Sequence, residues 1–401
     1  MKTKLLYASP FLPMKSGISD YSEIMIYGLK NYFDVSLLTD NYRPENSGLY
    51  EDFDVKVYNR DKIDFDSFDH ILYNAGNSGD FHLYIYDCAL KHPGFIILHD
   101  LALYYLTLEY YRGRPDYYSK LYKIAGLKGF FELKQQLKKG KELLHCGPDI
   151  AAGAPLNKEL LLNSRGVIVH SEYSKNKLSE AFDGLKLLKI DHPHRILTHR
   201  RNGSDYLEEK YGIKKEDVIL ASFGHIWPTK LNHLVCAAVK RINSEEGKKV
   251  YYVMLGGGDY IDDQLDSHII KAGYVDRNIY DDILDRSDIV FNLRYPNMGE
   301  TSGSLVQALS RGKACFVTDD GWFSELPGNR VIKMDKNATE NDIYEKLIYL
   351  LKNPLELEDI SDSALRYINS RPGLDEDCRN ICDFLNKNRN FFPGREEKQR
   401  F

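Results

Sequence analysis

The amino-acid sequence predicts an α/β protein with two domains, and three observations lead to this prediction. Short apolar runs that are typical of buried strands alternate with segments whose apolar residues recur at helical spacing. The chain has 401 residues, which is long for one hydrophobic core and suits two. The alternation occurs once before a charged connecting stretch at 191–215 and once after it. Because strands and helices alternate, we expect a parallel sheet in each half.

Composition and charge restrict the function classes. The hydrophobic content of 43% and the charged content of 28% are ordinary for a soluble globular enzyme. A net charge of −5 with both signs interspersed implies no nucleic-acid partner. No apolar run reaches the roughly 18 residues of a membrane span, and the polar N-terminus predicts a first strand instead of a signal peptide. Six scattered cysteines favour the reduced thiols of a cytoplasmic protein.

The first half begins with a strand at 4–8, and a helix follows it with apolar residues at helical spacing over 18–32. Gly17 opens this helix, where a glycine either lets the backbone approach a ligand or merely permits a tight turn. Further strands are predicted at 34–38, 55–58, 70–74, 95–98 and 166–170.

His99 and Asp100 end the strand at 95–98, and a helical run over 101–111 follows them. Polar groups at the carboxyl end of a strand point at the ligand-binding edge of an open sheet and away from its core. Asp100 could orient the imidazole of His99, or it could cap the helix.

The stretch 112–144 predicts one or two helices in which basic residues outnumber acidic ones by nine to three, with aromatic residues between them. Such a mixture suits a helix that lies on an anionic membrane surface. The alternative is a solvated helix pair that covers the sheet. We therefore keep docking on the inner leaflet as a hypothesis.

The second half repeats the pattern, with strands predicted at 217–222 and 250–255 and helices over most of 341–387. The first of these strands leads into Gly224 and His225, and a predicted helix from Thr229 carries Lys230 in its first turn. A cation at a helix N-terminus opposes the helix dipole, and a bound diphosphate would offset that cost.

The most informative stretch is 292–327, which continues a buried strand and contains Glu300, Thr301, Ser302 and Gly303 before a helix and a second strand at 314–317. Thr301 or Ser302 can N-cap the helix, and Gly303 permits close approach, so the first-turn N–H groups would face a phosphate. The Glu300 carboxylate is placed to accept hydrogen bonds from sugar hydroxyls. An ordinary capped helix is the alternative interpretation.

At these residues the chain resembles the retaining glycosyltransferases of family 4, which have the GT-B fold. Glu300, Gly303 and Gly312 match the family's Glu, the Gly three residues later and the small-x-Gly turn that ends the helix. The family places a second Glu eight residues after the first, immediately before an Ala. Here the residue before Ala308 is Gln307, which would make a weaker contact with the donor ribose.

The resemblance implies roles for the other candidates. Glu300, His99 and Asp100 would be catalytic, with His99 close to the donor sugar and the acceptor hydroxyl. Lys230 matches a lysine that clamps the donor diphosphate, whereas His225 stands where the family has an arginine, a loss for which Arg294 could compensate. The implied donor-binding set is Gly17, Gly224, His225, Lys230, Val275, Arg294, Thr301, Ser302, Gly303 and Gln307.

The implied architecture is two facing Rossmann-like domains at 1–200 and 201–375, with a crossover helix and tail at 376–401 that pack on the first domain. The implied reaction is transfer of a hexosyl group from a UDP- or GDP-linked sugar to a glycan or lipid-linked acceptor, with retention of configuration. No metal or other cofactor is expected. Two alternatives stay open: a sugar-nucleotide epimerase, and a catalytically silent partner subunit.

Overall fold

The computed structural model describes residues 2–194 and 206–391 and divides the chain into two compact units. The first unit comprises Met1–Pro193, Met298–Thr301 and Pro372–Phe401, and the second comprises His194–Asn297 and Ser302–Arg371. The boundary expected at 200/201 lies outside the described residues, and the one expected at 375/376 falls four residues after Arg371, where the second unit ends. Part of the predicted connection at 191–215, and most of the predicted tail, lie outside the described residues.

The first unit contains a seven-stranded sheet in which every neighbouring pair is parallel. Its spatial order is β3-β2-β1-β4-β5-β6-β7. The last strand was not predicted, because its three residues are only half-buried and form no apolar run. The strands are β1 (Thr3–Ala8), β2 (Phe33–Thr39), β3 (Asp54–Val57), β4 (His70–Ala75), β5 (Phe95–Leu98), β6 (Gly166–Val169) and β7 (Leu187–Lys189).

Apolar side chains cover both faces of this sheet, as the near-continuous apolar runs require. Leu6 and Ala8 of β1 pack into one core, while Leu5 and Tyr7 pack into the other. The helices that supply these cores are α1 (Gly17–Leu29), α2 (Gly48–Asp52), α3 (Gly79–Lys91), α4 (Tyr104–Tyr111), α5 (Tyr117–Lys138), α6 (Pro148–Gly153), α7 (Lys158–Leu162) and α8 (Glu172–Ala181).

The second unit contains a six-stranded sheet that is also parallel throughout, in the order β10-β9-β8-β11-β12-β13. This order repeats that of the first six strands of the first unit. The short β13 was not predicted either. The strands are β8 (Val218–Phe223), β9 (Val250–Leu255), β10 (Ile269–Gly273), β11 (Ile289–Asn292), β12 (Ala314–Thr318) and β13 (Ile332–Met334).

One helix of the second unit begins later than expected. The prediction started it at Thr229, but Pro228–Lys230 form a 3₁₀ turn and Leu231 adopts a left-handed conformation with φ of 55°. Lys230 therefore precedes the helix and does not lie in its first turn. The helices of this unit are α9 (Tyr206–Tyr211), α10 (Asn232–Glu245), α11 (Arg277–Arg286), α12 (Gly303–Ser310), α13 (Glu340–Lys352) and α14 (Pro354–Asn369).

The last helix, α15 (Leu374–Lys387), belongs to the first unit and packs against α1. The two helices approach closely at Gly28, where an added Cβ would lie 2.6 Å from Cys378 Sγ. Next to this contact, the buried Asp377 accepts a hydrogen bond from the backbone N–H of the buried Asp191 at 3.4 Å. Two carboxyl groups thus lie beside each other where α15 meets the end of the sheet.

The central part of the basic stretch 112–144 forms α5, which is interrupted at Gly126 with φ of 67° and ψ of −176°. Within residues 2–194 and 206–391, no helix is both long and apolar enough to cross a membrane.

Candidate active site

The predicted donor-binding residues of the second unit follow three of its strands, β8, β10 and β11. Because all strands of this sheet are parallel, the loops that follow them lie at one edge. The structure thus brings to one edge the residues Gly224, His225, Lys230, Val275, Arg294, Ser302, Gly303 and Gln307.

Ser302 is the N-cap of α12. Its Oγ accepts a hydrogen bond from Leu305 N at 3.3 Å, and its carbonyl accepts one from Val306 N at 3.0 Å. Ser304 Oγ lies 3.1 Å from Ser302 Oγ and accepts from Asn292 Nδ2 at 3.0 Å. The cap therefore orients the first turn of the helix, whose N–H groups have no partner within a helix and attract an anion.

Gln307 lies one turn further along α12. Its Oε1 is buried and has no hydrogen-bond donor within reach among residues 2–194 and 206–391. A buried amide oxygen without a partner is costly, and a ligand hydroxyl would satisfy it. This is the contact that the resemblance assigns to Gln307 with the donor ribose.

The loop after β8 brings one cation and one imidazole together. Gly224 has φ of 97°, and a Cβ at that position would lie 3.8 Å from Lys230 Nζ. The ring of His225 stacks on Trp227 at a centroid distance of 5.7 Å. Burial, and secondly the charge of Lys230, lower the pKa of His225 below its ordinary value, so its ring is neutral at pH 7.

The glycines of the turn after β9 pack against this loop. Gly256 and Gly258 have φ of 137° and 133°; an added Cβ would lie 2.2 Å from Gly224 O and 1.9 Å from Ile226 O. Gly257 O accepts a hydrogen bond from Ile226 N at 2.7 Å. A run of glycines after a strand was the available signal, but the partner loop could not be identified from sequence.

Arg294 and Val275 occupy the flanking loops. The backbone N–H of Arg294 donates to Thr318 Oγ1 at 2.9 Å, and Tyr295 N donates to Thr229 O at 2.8 Å. This second bond ties the loop after β11 to the loop after β8. Val275 follows the end of β10 and is half-buried against a core cluster of the second unit.

In the first unit, Gly17 begins α1 behind its N-cap, Ser16, whose Oγ accepts from Ile18 N at 3.2 Å. A Cβ at Gly17 would meet no atom of residues 2–194 and 206–391 within 4 Å. Among these residues no packing contact therefore requires a glycine at this position.

His99 follows β5, and its ring is oriented by Asn74, which sequence reasoning did not single out. Its backbone N–H donates to Ala75 O at 2.9 Å, and Nε2 lies 3.0 Å from Asn74 Oδ1. Burial holds the pKa of His99 well below its ordinary value. The ring is thus neutral, and an Nε2–H donor to Asn74 would leave Nδ1 as the acceptor.

Asp100 holds the turn that follows β4, and the two roles predicted for it, orienting His99 or capping a helix, stay predictions. Its Oδ2 accepts a hydrogen bond from the backbone N–H of Asn77 at 2.8 Å. The helix expected over 101–111 begins at Tyr104, and the side chain that accepts from its first turn, at Tyr105 N and 2.9 Å, is that of Asn77. The side chain of Asn74 therefore orients His99, and the side chain of Asn77 accepts a hydrogen bond from the first turn of α4.

Three histidines surround the buried Tyr21. The centroid of the Tyr21 ring lies 4.7 Å from His99, 5.1 Å from His170 and 5.4 Å from His192. Burial, and secondly the charge on His192, lower the pKa of His170 to about 3. The rings meet at their edges, and no group of three or more His, Cys, Asp or Glu in the described parts of the chain could hold a metal ion.

Glu300 lies in Met298–Thr301, which the structure places in the first unit. Its Oε2 accepts a hydrogen bond from Met298 N at 2.7 Å across Gly299, which has φ of 83°. Met298 O in turn accepts from the N–H of Leu101, two residues after His99, at 2.8 Å. The structure thus joins the turn of Glu300 to the turn of His99.

Solved structures share this fold over nearly the whole chain. Sucrose-phosphate synthase from Thermosynechococcus elongatus aligns with a TM-score of 0.67 and 11% identity, over 96% of this chain and 99% of that one. Anabaena HepE in complex with UDP gives 0.63 and 14%, over 96% and 100%. A glycosyltransferase from Rickettsia africae also gives 0.63 and 14%, over 97% and 99%.

At these identities the likeness shows the fold alone. The predicted GT-B fold, with two parallel-sheet α/β domains, is confirmed. Neither a family model nor a curated protein sequence matches the chain. The roles of the individual site residues stay predictions.

Proposed function

We propose that the chain is a retaining glycosyltransferase that moves a hexosyl group from a nucleotide-diphosphate sugar to a glycan or lipid-linked acceptor. The observation that supports this proposal is the placement of two kinds of phosphate-binding group at one edge of the second sheet. There the Ser302-capped first turn of α12 and the ammonium group of Lys230 follow the neighbouring strands β11 and β8. A diphosphate suits such a site because helix amides and a lysine both bind phosphate oxygens.

The same groups would act on the leaving group. When the bond to the anomeric carbon breaks, negative charge grows on the diphosphate, and Lys230 with the first-turn amides of α12 stabilises that charge. Each charge-assisted hydrogen bond contributes about 1.5–3 kcal/mol. Glu300 would hold sugar hydroxyls and offset the positive charge at the anomeric carbon. The neutral His99 would accept a hydrogen bond from the sugar or the acceptor at Nδ1.

The donor base is proposed to be uracil or guanine, with uracil as the first candidate. HepE, which shares the fold, was solved with UDP and with UDP-glucose. Val275, at the end of β10, is proposed to line the base site. We propose that the reaction needs no metal ion.

A membrane surface is the proposed location of the acceptor. The C-terminal half of α5 exposes Leu127 and Phe131, which are 76% and 60% accessible. The exposed charged residues along α5 are all lysines: Lys123, Lys128, Lys134 and Lys138. An apolar pair within a basic surface supports docking on the anionic inner leaflet.

Nucleotide binding and turnover test the proposal together. We expect UDP or GDP, alone or as a sugar conjugate, to raise the melting temperature with and without Mg²⁺. A ligand at a hundredfold excess over Kd adds about 2.7 kcal/mol of stability. We expect Glu300→Ala to lower turnover by about a hundredfold and to retain UDP binding.

The outcomes separate the alternatives. A rise in the melting temperature that occurs only with Mg²⁺ would contradict a metal-independent site. No shift with any nucleotide would contradict the transferase and favour a silent subunit, in keeping with the neutral His225. Conversion of the donor sugar without an acceptor would instead identify an epimerase.

A further inference from the structure

The segment Met298–Thr301 is held by donors from two separate elements of the first unit. Met298 O accepts hydrogen bonds from Leu101 N at 2.8 Å and Ala102 N at 3.1 Å, both in the turn after β5. Gly299 O accepts one from Ser174 Oγ at 2.9 Å, in the first turn of α8. Two consecutive carbonyl groups are therefore anchored immediately before Glu300.

The local structure of α8 places the Ser174 hydroxyl. Ser171 caps this helix by accepting from Ser174 N at 3.0 Å, so the cap positions the residue that reaches Gly299. Ser174 is only 3% exposed. Because water has little access to this hydroxyl, its removal would leave Gly299 O without that donor in a buried site.

Close packing leaves the segment little freedom to shift. A Cβ at Gly299 would lie 2.2 Å from Leu101 Cβ, and φ of 83° is strained for any other residue. Asn77 Nδ2 also lies 3.5 Å from Met298 Sδ. The backbone of the segment therefore fits one arrangement against the turn after β5.

We infer that Ser174 is a positioning residue for Glu300. Its hydroxyl holds the Gly299 carbonyl, and with it the turn that the Glu300 carboxylate closes, in the geometry that transfer requires. The inference rests on the proposed function, since it assigns Ser174 a part in the same reaction. Ser174 acts through Gly299 and is not itself a catalytic residue.

The variant Ser174→Ala tests the inference, because a positioning role affects turnover and leaves nucleotide binding unchanged. We expect kcat to fall by about tenfold or more, since small displacements of a catalytic group are costly. The Kd for UDP should stay within about twofold of the wild-type value, because the proposed diphosphate groups lie in the second unit. Initial rates and calorimetric titration with UDP measure the two quantities.

The matched control is Ser164→Ala. Ser164 is 2% exposed, and its hydroxyl donates to Leu161 O at 2.7 Å, but it precedes β6 at the opposite edge of the sheet. We expect a similar loss of stability and an unchanged kcat. An equal kcat in the two variants, or a parallel loss of UDP affinity in Ser174→Ala, would overturn the inference.

A second variant keeps the inference testable if Ser174→Ala does not fold. Gly299→Ala shifts the same turn through its contact with Leu101 and leaves α8 intact, so we expect it also to lower kcat with UDP binding retained. Wild-type kcat in Gly299→Ala would refute the positioning role. Absence of transfer and of nucleotide binding in the wild-type protein would instead refute the proposed function itself.

Discussion

His225 is the residue at which this chain departs most clearly from the diphosphate clamp of the family that it resembles. Burial and the neighbouring Lys230 lower its pKa. The ring is therefore neutral at pH 7, and it becomes cationic only when the pH falls below the ordinary pKa of histidine. An arginine would carry its charge at every pH. The site thus has one permanent cation on the loop after β8, and a second that depends on acidity.

This charge state predicts pH-dependent donor affinity. A bound anion favours the protonated ring, so binding takes up a proton and the affinity for UDP-glucose should rise as the pH falls from 8 to 6. His225→Arg should bind about tenfold more tightly at pH 8 and lose this dependence. Titration calorimetry across the range measures both effects.

The control for this prediction is His268→Arg, the same substitution at the opposite end of the sheet, immediately before β10. It should leave both the affinity and its pH dependence unchanged. A wild-type affinity that is independent of pH would place His225 outside the anion site.

Single residues could be predicted from sequence where a local pattern required them. Ser302 follows from capping, and His99 and Glu300 follow from their places after predicted strands. Asn74, Asn77 and Ser174 could not, because their function depends on a partner that is distant in sequence. Ser174 and Gly299, for example, are 125 residues apart, and neither carries a local signal of the other.

At the scale of elements, the surface of α5 differs from an ordinary solvated face. Leu127 and Phe131 lie one turn apart after the break at Gly126, and the ring of Phe131 contacts that of Phe130 at 5.4 Å. Lysines flank this pair, whereas Glu132 is half-buried and accepts a hydrogen bond from Gln136 at 2.8 Å. The exposed surface is thus apolar and basic.

We expect the wild-type protein to co-sediment with vesicles that contain phosphatidylserine at low salt. Changing Lys123, Lys128 and Lys134 together to Gln should weaken this partition by about a hundredfold, since each basic residue contributes roughly 1 kcal/mol near an anionic surface. Leu127→Ser with Phe131→Ser should also weaken it.

The matched control is Leu355→Ser, which removes a leucine that is 80% exposed on α14 of the second unit. This variant should partition as the wild-type protein does. If the wild-type protein stays in the supernatant, or if neither α5 variant differs from it, α5 is a solvated helix.

The strands were more predictable than the helix boundaries, because a strand buried on both faces is a continuous apolar run. Neither of the three-residue strands β7 and β13 was predicted, because each is too short to form such a run. The helix expected from Thr229 begins late because Leu231 adopts a left-handed backbone conformation. A leucine does not indicate this conformation in the sequence. The break at Gly126 likewise depends on a single glycine conformation.

At the scale of the whole molecule, the acidic pair beside α15 links stability to pH. Burial, and secondly the charge of Asp191, raise the pKa of Asp377 from 3.8 to about 7. The folded state therefore binds this proton more tightly than the unfolded state. The resulting stabilisation is complete below pH 3.8 and is lost as the pH rises through about 7.

Asp377→Asn should therefore stabilise the protein at pH 8 by on the order of 2 kcal/mol and have little effect at pH 4. The amide resembles the protonated carboxyl, and its oxygen can still accept from Asp191 N. Urea unfolding at both values measures the difference. Glu376→Gln, an exposed neighbour on the same helix, is the control and should give no comparable gain; an equal gain would contradict the role of burial.

The glycines after β9 have a consequence for engineering the donor specificity of the proposed transferase. Because Gly256 and Gly258 leave no space for a side chain against Gly224 O and Ile226 O, the two loops behave as one module. If residues 224–226 alone were replaced by those of a homologue, they would no longer fit against residues 256–258. The two loops would then not pack as they do here. A functional exchange must therefore replace residues 224–226 and 256–258 together.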